Sequence, residues 1–179
     1  MIKRVGGAVL TGYFSLALVA TLGLKAYWHD YKSKPVQPIE FPHVKHVQVV
    51  GLKCTDCHQY VDKGKHAGIP PMSKCMSCHE SAATDRPGVQ KLTKYWKNEA
   101  PIPWSKVHNL PPFVYFSHKR HVRFFQINRG IQPNDLCKEC HGQVKEMTTV
   151  RQVRSLTMGW CVSCHRQNGA SVDCYTCHK

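Results

Sequence analysis

The longest apolar stretch of this chain lies at its N-terminus. Twenty positions from Val5 to Leu24 carry no charged side chain. As a helix rising ~1.5 Å per residue, such a run is ~30 Å long, which is the thickness of a bilayer core. The remainder has a polar, irregular pattern broken by prolines and glycines. The pattern predicts one long N-terminal helix followed by short helices and loops, with little or no sheet.

Charged and aromatic residues flank this run as they flank a membrane span. Lys3 and Arg4 precede it, and Tyr27 and Trp28 follow as an interfacial aromatic pair. We therefore predict a single-pass anchor over residues 1–28 in the inner membrane, with Met1 on the cytoplasmic side. A signal peptide cleaved near Ala20 is the alternative. Either interpretation exports the rest of the chain to the periplasmic side.

All ten cysteines lie in five Cys-x-x-Cys-His motifs. This spacing is the attachment signature of c-type haem, in which both thiols form thioethers and the adjacent histidine binds iron. The motifs therefore predict five covalent haem c groups, with His58, His79, His141, His165 and His178 as proximal ligands. In chain order the cysteines define site 1 (Cys54, Cys57), site 2 (Cys75, Cys78), site 3 (Cys137, Cys140), site 4 (Cys161, Cys164) and site 5 (Cys174, Cys177).

Two other uses of cysteine fit this pattern less well. Paired Cys-x-x-Cys units form zinc sites, but a zinc ribbon has no need of a histidine after every second cysteine. A disulfide framework would have no reason to repeat one spacing five times. Haem is the interpretation that explains all five motifs together.

The formal charge of +14 resembles that of a nucleic-acid-binding protein. Five haems would bring ten propionates, which reduce this charge to about +4. The lysines and arginines then serve to neutralise propionates and solvate the surface. We expect no nucleic-acid partner.

An internal repeat divides the exported part of the chain. Phe-x-His-x-basic-His-Val occurs at 41–47 and again at 116–122, each time before haem motifs. We predict a tether over 29–40, a dihaem module over 41–90 and a trihaem module over 113–179. The proline- and tryptophan-rich connector 91–112 holds Trp96 and Trp104, which we expect to pack on haems or on a partner subunit.

The sixth ligand of each iron must come from elsewhere in the chain. The two histidines of each repeat are three residues apart, so we expect each to serve a different haem. The distal candidates from histidine are His43, His46, His66, His118 and His121. His108 is either a further ligand or a hydrogen-bonding residue near a propionate. Met158 is a ligand that would raise the potential of one haem, or it packs on a porphyrin.

The His-x-x-His repeat with its haem motifs resembles the small multihaem cytochromes of the c3/c7 type. A closer resemblance is carried by Ile102-Pro103-Trp104, Val107-His108-Asn109-Leu110-Pro111, Val114-Tyr115-Phe116 and Met158-Gly159-Trp160-Cys161. These stretches are similar to the pentahaem cytochrome c subunit of alternative complex III. That family implies a membrane-anchored electron-transfer subunit of a quinol-oxidising complex. Its implied partners are an iron–sulfur subunit, polytopic membrane subunits and a monohaem cytochrome c.

Three other functions remain open at this stage. One is a membrane-anchored quinol dehydrogenase that oxidises quinol itself, which requires an acid/base group near the first haem. His29, Asp30 and Glu40 lie in that part of the sequence. A nitrite or hydroxylamine reductase requires an open iron, which the supply of histidine and methionine disfavours. A soluble haem shuttle requires loss of residues 5–24.

Overall fold

The computed structural model describes residues 2–178, with side chains for 6–30 and 34–178. The predicted cytoplasmic position of Met1 lies outside the described residues. Two short turns, a π-helical one at Lys45–Val49 and a 3₁₀ one at Val144–Glu146, accompany the α-helices. These helices are α1 (Ile2–Ser33), α2 (Cys54–Cys57), α3 (Met72–His79), α4 (Pro87–Lys97), α5 (His118–Arg129), α6 (Pro133–His141), α7 (Met158–Gln167) and α8 (Cys174–Cys177).

Helix α1 contains the apolar N-terminal run. Its segment Gly6–Asp30 is long and apolar enough to cross a membrane, by length and composition, and none of its most apolar window is buried within the protein. The hydroxyls of Thr11 and Thr21 donate to the carbonyls of Gly7 and Ala17, one turn earlier. These hydroxyls therefore need no partner outside the helix, as a span through hydrocarbon requires.

Each haem motif forms a helical turn. The motifs make up all of α2 and α8 and lie within α3, α6 and α7. A helical turn places residues i and i+3 on one face, so the two cysteines of a motif face the same side. Among the described residues the β-structure is one isolated antiparallel bridge between Val114 and His178. The predicted architecture, short helices and loops plus one N-terminal helix, is confirmed.

A first apolar cluster joins the tether and the connector to the dihaem module. Ile39, Met76 and Leu92 are its buried members, and Trp104 packs against them. The side chain of Gln37 holds the connector by two hydrogen bonds with the backbone of Ser105, 2.9 Å to its oxygen and 3.0 Å from its nitrogen. The predicted tether is therefore docked from residue 37 onward.

A second apolar cluster joins the two predicted modules. Val61 of the first module packs with Val122 of α5 and Leu136 of α6. The guanidinium of Arg123 also donates to the carbonyl of Asp62 at 3.0 Å. Across the described residues these two clusters hold nearly all of the buried apolar side chains, so the protein's own apolar core is small.

Candidate haem-binding sites

The repeat found in the sequence is also a repeat in structure. The ring of Phe41 stacks on His46 at a centroid distance of 4.2 Å, and that of Phe116 stacks on His121 at 4.4 Å. The Nδ1 atoms of these two histidines lie 3.0 Å and 2.8 Å from a backbone carbonyl four residues earlier. Both rings are thus held in one orientation by stacking and by a hydrogen bond, which leaves Nε2 as the free nitrogen.

Three histidines of the repeats face proximal histidines across a gap. The ring centroids of His46 and His79 are 6.0 Å apart. The corresponding distances are 6.2 Å for His118 and His141, and 6.1 Å for His121 and His165. In each pair a histidine from a repeat meets the histidine of one Cys-x-x-Cys-His motif.

This separation fits an iron held between two imidazoles. A metal–imidazole bond is ~2 Å long and the ring centroid lies ~1 Å beyond the nitrogen, so two opposed ligands place their centroids ~6 Å apart. Side chains in direct contact would be closer, as His108 and His141 are at 4.4 Å. The chemistry of the ligand set also fits, because neutral imidazoles on both faces are a standard ligation of c-type haem.

The proximal histidines are fixed through their Nδ1 atoms. Nδ1 of His58 donates to the carbonyl of Gly68 at 2.6 Å, and that of His79 to Ala82 at 3.0 Å. Nδ1 of His165 lies 2.6 Å from the carbonyl of Ser171. A proton held at Nδ1 leaves the lone pair of Nε2 for the metal, so these bonds select the tautomer that ligation needs.

Burial favours the neutral form of three histidines of the repeats, His43, His118 and His121. Burial, aided by the neighbouring His58 and His46, lowers the pKa of His43 to about 4. Burial likewise lowers the pKa of His118 and of His121. A neutral imidazole has the lone pair that binds iron, whereas a protonated one does not.

A cavity adjoins the proximal histidine of site 2. It has a volume of about 620 Å³, and its lining includes Met76, His79, Trp96, Lys94 and Lys97. This volume lies in the range of cofactor pockets, and its walls combine apolar surface with two cations. Trp96 of the connector therefore lies beside site 2.

The structure leaves some predicted ligands outside these pairs. His66 is exposed, and Met158 is 71% exposed at the first residue of α7. His108 hydrogen-bonds to His141, Nε2 to Nδ1, at 3.2 Å. At site 5 the ring of His178 contacts Phe113 at a centroid distance of 5.8 Å.

Neighbouring motifs approach each other through their cysteines. The nearby thiol of Cys137 lowers the pKa of Cys54 to about 6, and α6 packs against α2, so site 3 lies beside site 1. Burial is the largest cause that raises the pKa of Cys75, and the negative charge of a nearby Cys57 thiolate is the next largest among those that raise it. Site 2 therefore lies against site 1.

The same relation continues to the C-terminus. Burial raises the pKa of Cys140 most, and the charge of the nearby Cys164 raises it further, so site 4 lies near site 3. Burial and the nearby Cys177 raise the pKa of Cys161 in the same way, so site 5 lies near site 4. The five motifs therefore lie in the spatial order 2, 1, 3, 4, 5, which differs from the order along the chain.

Comparison with known proteins identifies a family to which part of the chain is similar. Residues 39–98, which hold sites 1 and 2, match the family of cytochrome c7 and related cytochrome c. This similarity supports c-type haem as the cofactor and electron transfer as the function, as the motifs predict.

The chain is also similar to a curated protein along nearly its whole length. That protein is the multihaem cytochrome c subunit of menaquinone reductase from Nitratidesulfovibrio vulgaris. The two are 26% identical over 191 aligned residues, which cover 97% of this chain and 91% of the relative.

Some residues of the cytochrome's sites were not singled out from sequence. The carbonyls of Gly68, Ala82 and Ser171, which accept from proximal histidines, belong to loops after the motifs. A backbone carbonyl leaves no mark on the sequence. The stacking of Phe41 and Phe116 did have a signal, since both phenylalanines belong to the repeat.

Proposed function

We propose that this cytochrome carries five haems and transfers electrons as a subunit of a membrane-bound quinone-linked complex. The observation that carries this proposal is the set of three opposed histidine pairs at 6.0–6.2 Å. A haem with two protein ligands exchanges single electrons and has no free position for a substrate. Ligand pairs of this kind favour an electron carrier over a nitrite or hydroxylamine reductase.

The repeats suggest one rule for ligand pairing. In the second repeat, His118 faces site 3 and His121 faces site 4. In the first, His46 faces site 2, and by the same rule His43 serves site 1. The influence of His58 on the pKa of His43 supports this assignment, since it requires the two side chains to be close.

Site 5 is then left for a different ligand. The four repeat histidines are assigned to sites 1 to 4, and we assign Met158 to site 5 as its sixth ligand. A thioether raises the potential of a haem relative to two imidazoles. Site 5 would then be the most oxidising member and a terminus for electrons.

The spatial order of the motifs supports a linear route. Sites 2 and 5 are the ends of the row, and sites 1, 3 and 4 lie between them. In our proposal electrons enter at one end and leave at the other. The dihaem module 41–90 and the trihaem module 113–179 meet at sites 1 and 3.

The partners are proposed from the resemblance and the curated relative. The relative is a subunit of menaquinone reductase, and the family of alternative complex III is also quinone-linked. We propose an iron–sulfur subunit and polytopic membrane subunits as neighbours, with a monohaem cytochrome c or a terminal oxidase as electron acceptor. Helix α1 would anchor the chain, with its haems on the periplasmic side.

The test compares the lone subunit with its assembly. Both are purified in mild detergent, and haem reduction by a menaquinol analogue is followed by visible spectroscopy. Reduction in the assembly but not in the lone subunit is expected, because the quinol site then belongs to a partner. Rapid reduction of the lone subunit would instead make this chain a quinol dehydrogenase. Stoichiometric carbon monoxide binding at several haems would contradict the carrier role.

A further inference from the structure

His141 differs from the predicted proximal histidines of sites 1, 2 and 4 in the group that its Nδ1 contacts. At sites 1, 2 and 4, Nδ1 lies against a backbone carbonyl. At site 3, Nδ1 of His141 lies 3.2 Å from Nε2 of His108, and the two rings meet edge to face at 89°. The described part of the chain therefore offers one proximal ligand whose partner is a side chain.

The direction of this hydrogen bond follows from ligation. If Nε2 of His141 binds iron, its proton is on Nδ1, and Nδ1–H donates to the lone pair of Nε2 of His108. In this arrangement Nε2 of His108 is the unprotonated nitrogen of its ring, and its lone pair accepts the hydrogen bond at 3.2 Å.

An imidazole nitrogen is a stronger base than a peptide carbonyl. A stronger acceptor draws the Nδ1 proton away from the ring, which gives the ligand more anionic character and raises its basicity. A more basic ligand stabilises ferric over ferrous iron. The hydrogen bond to His108 therefore acts to lower the potential of the haem at site 3.

We propose that His108 is a positioning residue that orients His141 and tunes the redox potential of site 3, and that it is not itself an iron ligand. This inference rests on the proposed haem ligation by His141. The connector also positions His108 independently of His141. Gln37 holds the nearby Ser105 of the connector by a hydrogen bond. The acceptor and the ligand therefore belong to separately held parts of the protein.

The experiment is a redox titration of the full chain in detergent, with haem content measured first. His108→Phe keeps a ring but removes the acceptor, and His108→Gln supplies an amide oxygen that accepts. Asn109→Leu changes an exposed neighbour and serves as the matched control. We expect His108→Phe to raise one of the midpoint potentials, His108→Gln to raise it less, and Asn109→Leu to leave all of them unchanged. Every haem should stay low-spin.

Several results would overturn the proposal. These are an unchanged titration in His108→Phe, an equal shift in both His108 variants, or a new high-spin haem that binds carbon monoxide, which would make His108 a ligand. If the phenylalanine variant fails to fold, His108→Gln decides, because loss of an iron ligand would make one haem high-spin there too. A wild-type haem content below five would count against the proposed function, which separates the two failures.

Discussion

At the scale of single residues, a predicted proximal histidine needs both ring nitrogens, one for iron and one for a hydrogen bond that orients the ring. Nδ1 of His58 is held by the carbonyl of Gly68, which has a φ of +77°. A Cβ at this position would lie 3.0 Å from the ring of Tyr60. Glycine permits this backbone conformation and the close contact, and so places the carbonyl where His58 needs it.

Replacing a distal histidine tests the ligand pairs directly. We expect His121→Leu to leave one haem five-coordinate, because leucine has no atom that binds iron. Reduced protein should then bind carbon monoxide at one haem, as measured by difference spectroscopy. His29→Leu, a change in α1 away from the haem motifs, is the control and should bind no more than wild type. Unaltered carbon monoxide binding in His121→Leu would remove His121 from the ligand set.

The assignment of Met158 has its own test. Met158→His replaces a thioether with an imidazole, which stabilises ferric iron more strongly. One midpoint potential should fall while the others remain, as measured by a potentiometric titration. A titration that matches the wild type would show that Met158 does not ligate iron.

At the scale of elements, α5 brings one histidine to each of two Cys-x-x-Cys-His motifs. His118 and His121 are three residues apart, yet they face His141 and His165 respectively. The ring planes are nearly parallel in the first pair, at 8°, and tilted by 47° in the second. One helix therefore fixes the separation of sites 3 and 4.

The packing of α6 against α5 should contribute measurably to stability. Leu136 is 6% exposed between Val61 and Val122. We expect Leu136→Ala to lower the free energy of unfolding by about 2–5 kcal/mol, the usual cost of such a cavity. Denaturant unfolding, monitored through the absorbance of the haems, measures this loss of unfolding free energy.

Helix α5 offers the matched control for that experiment. Ile127 is 80% exposed, so Ile127→Ala should change the unfolding free energy by about 0.5 kcal/mol or less. Equal losses in the two variants would mean that the cluster around Leu136 does not hold the modules together.

At the scale of the whole molecule, the protein's own core is too small to explain a stable fold. Seven apolar side chains are buried among the described residues of this 179-residue chain. Haem attached at the motifs would supply the remaining apolar interior, and folding would then depend on it. The propionates of these haems would be counter-charges for the cations in excess of the carboxylates.

Removing the N-terminal helix should release the protein from the membrane. None of the most apolar window of the candidate span is buried within the protein, while docking of the chain begins near Gln37. A chain lacking residues 2–33, exported by a cleavable leader, should be found in the soluble fraction. Its haem content and midpoint potentials should match those of the full chain. Membrane retention or haem loss after truncation would contradict this role of α1.

Local features of this protein were predictable from its sequence. Haem attachment needs two thiols and a histidine within five residues, and a membrane span needs one continuous apolar run. Neither depends on distant parts of the chain. The Phe-x-His-x-x-His repeat was also visible in the sequence, and in both copies the phenylalanine ring stacks on the second histidine.

Which residues meet was decided by tertiary structure alone. His46 and His79 are 33 positions apart, and so are His108 and His141. The rings of the first pair are 6.0 Å apart, whereas those of the second pair share a hydrogen bond. The spacing along the chain does not distinguish these two arrangements. The spatial order 2, 1, 3, 4, 5 likewise arises because α6 packs against α2, which brings site 3 to site 1. Sequence determined the haem chemistry because covalent attachment is local. The fold decided which histidines face each other and which motifs are neighbours because these depend on how distant segments pack.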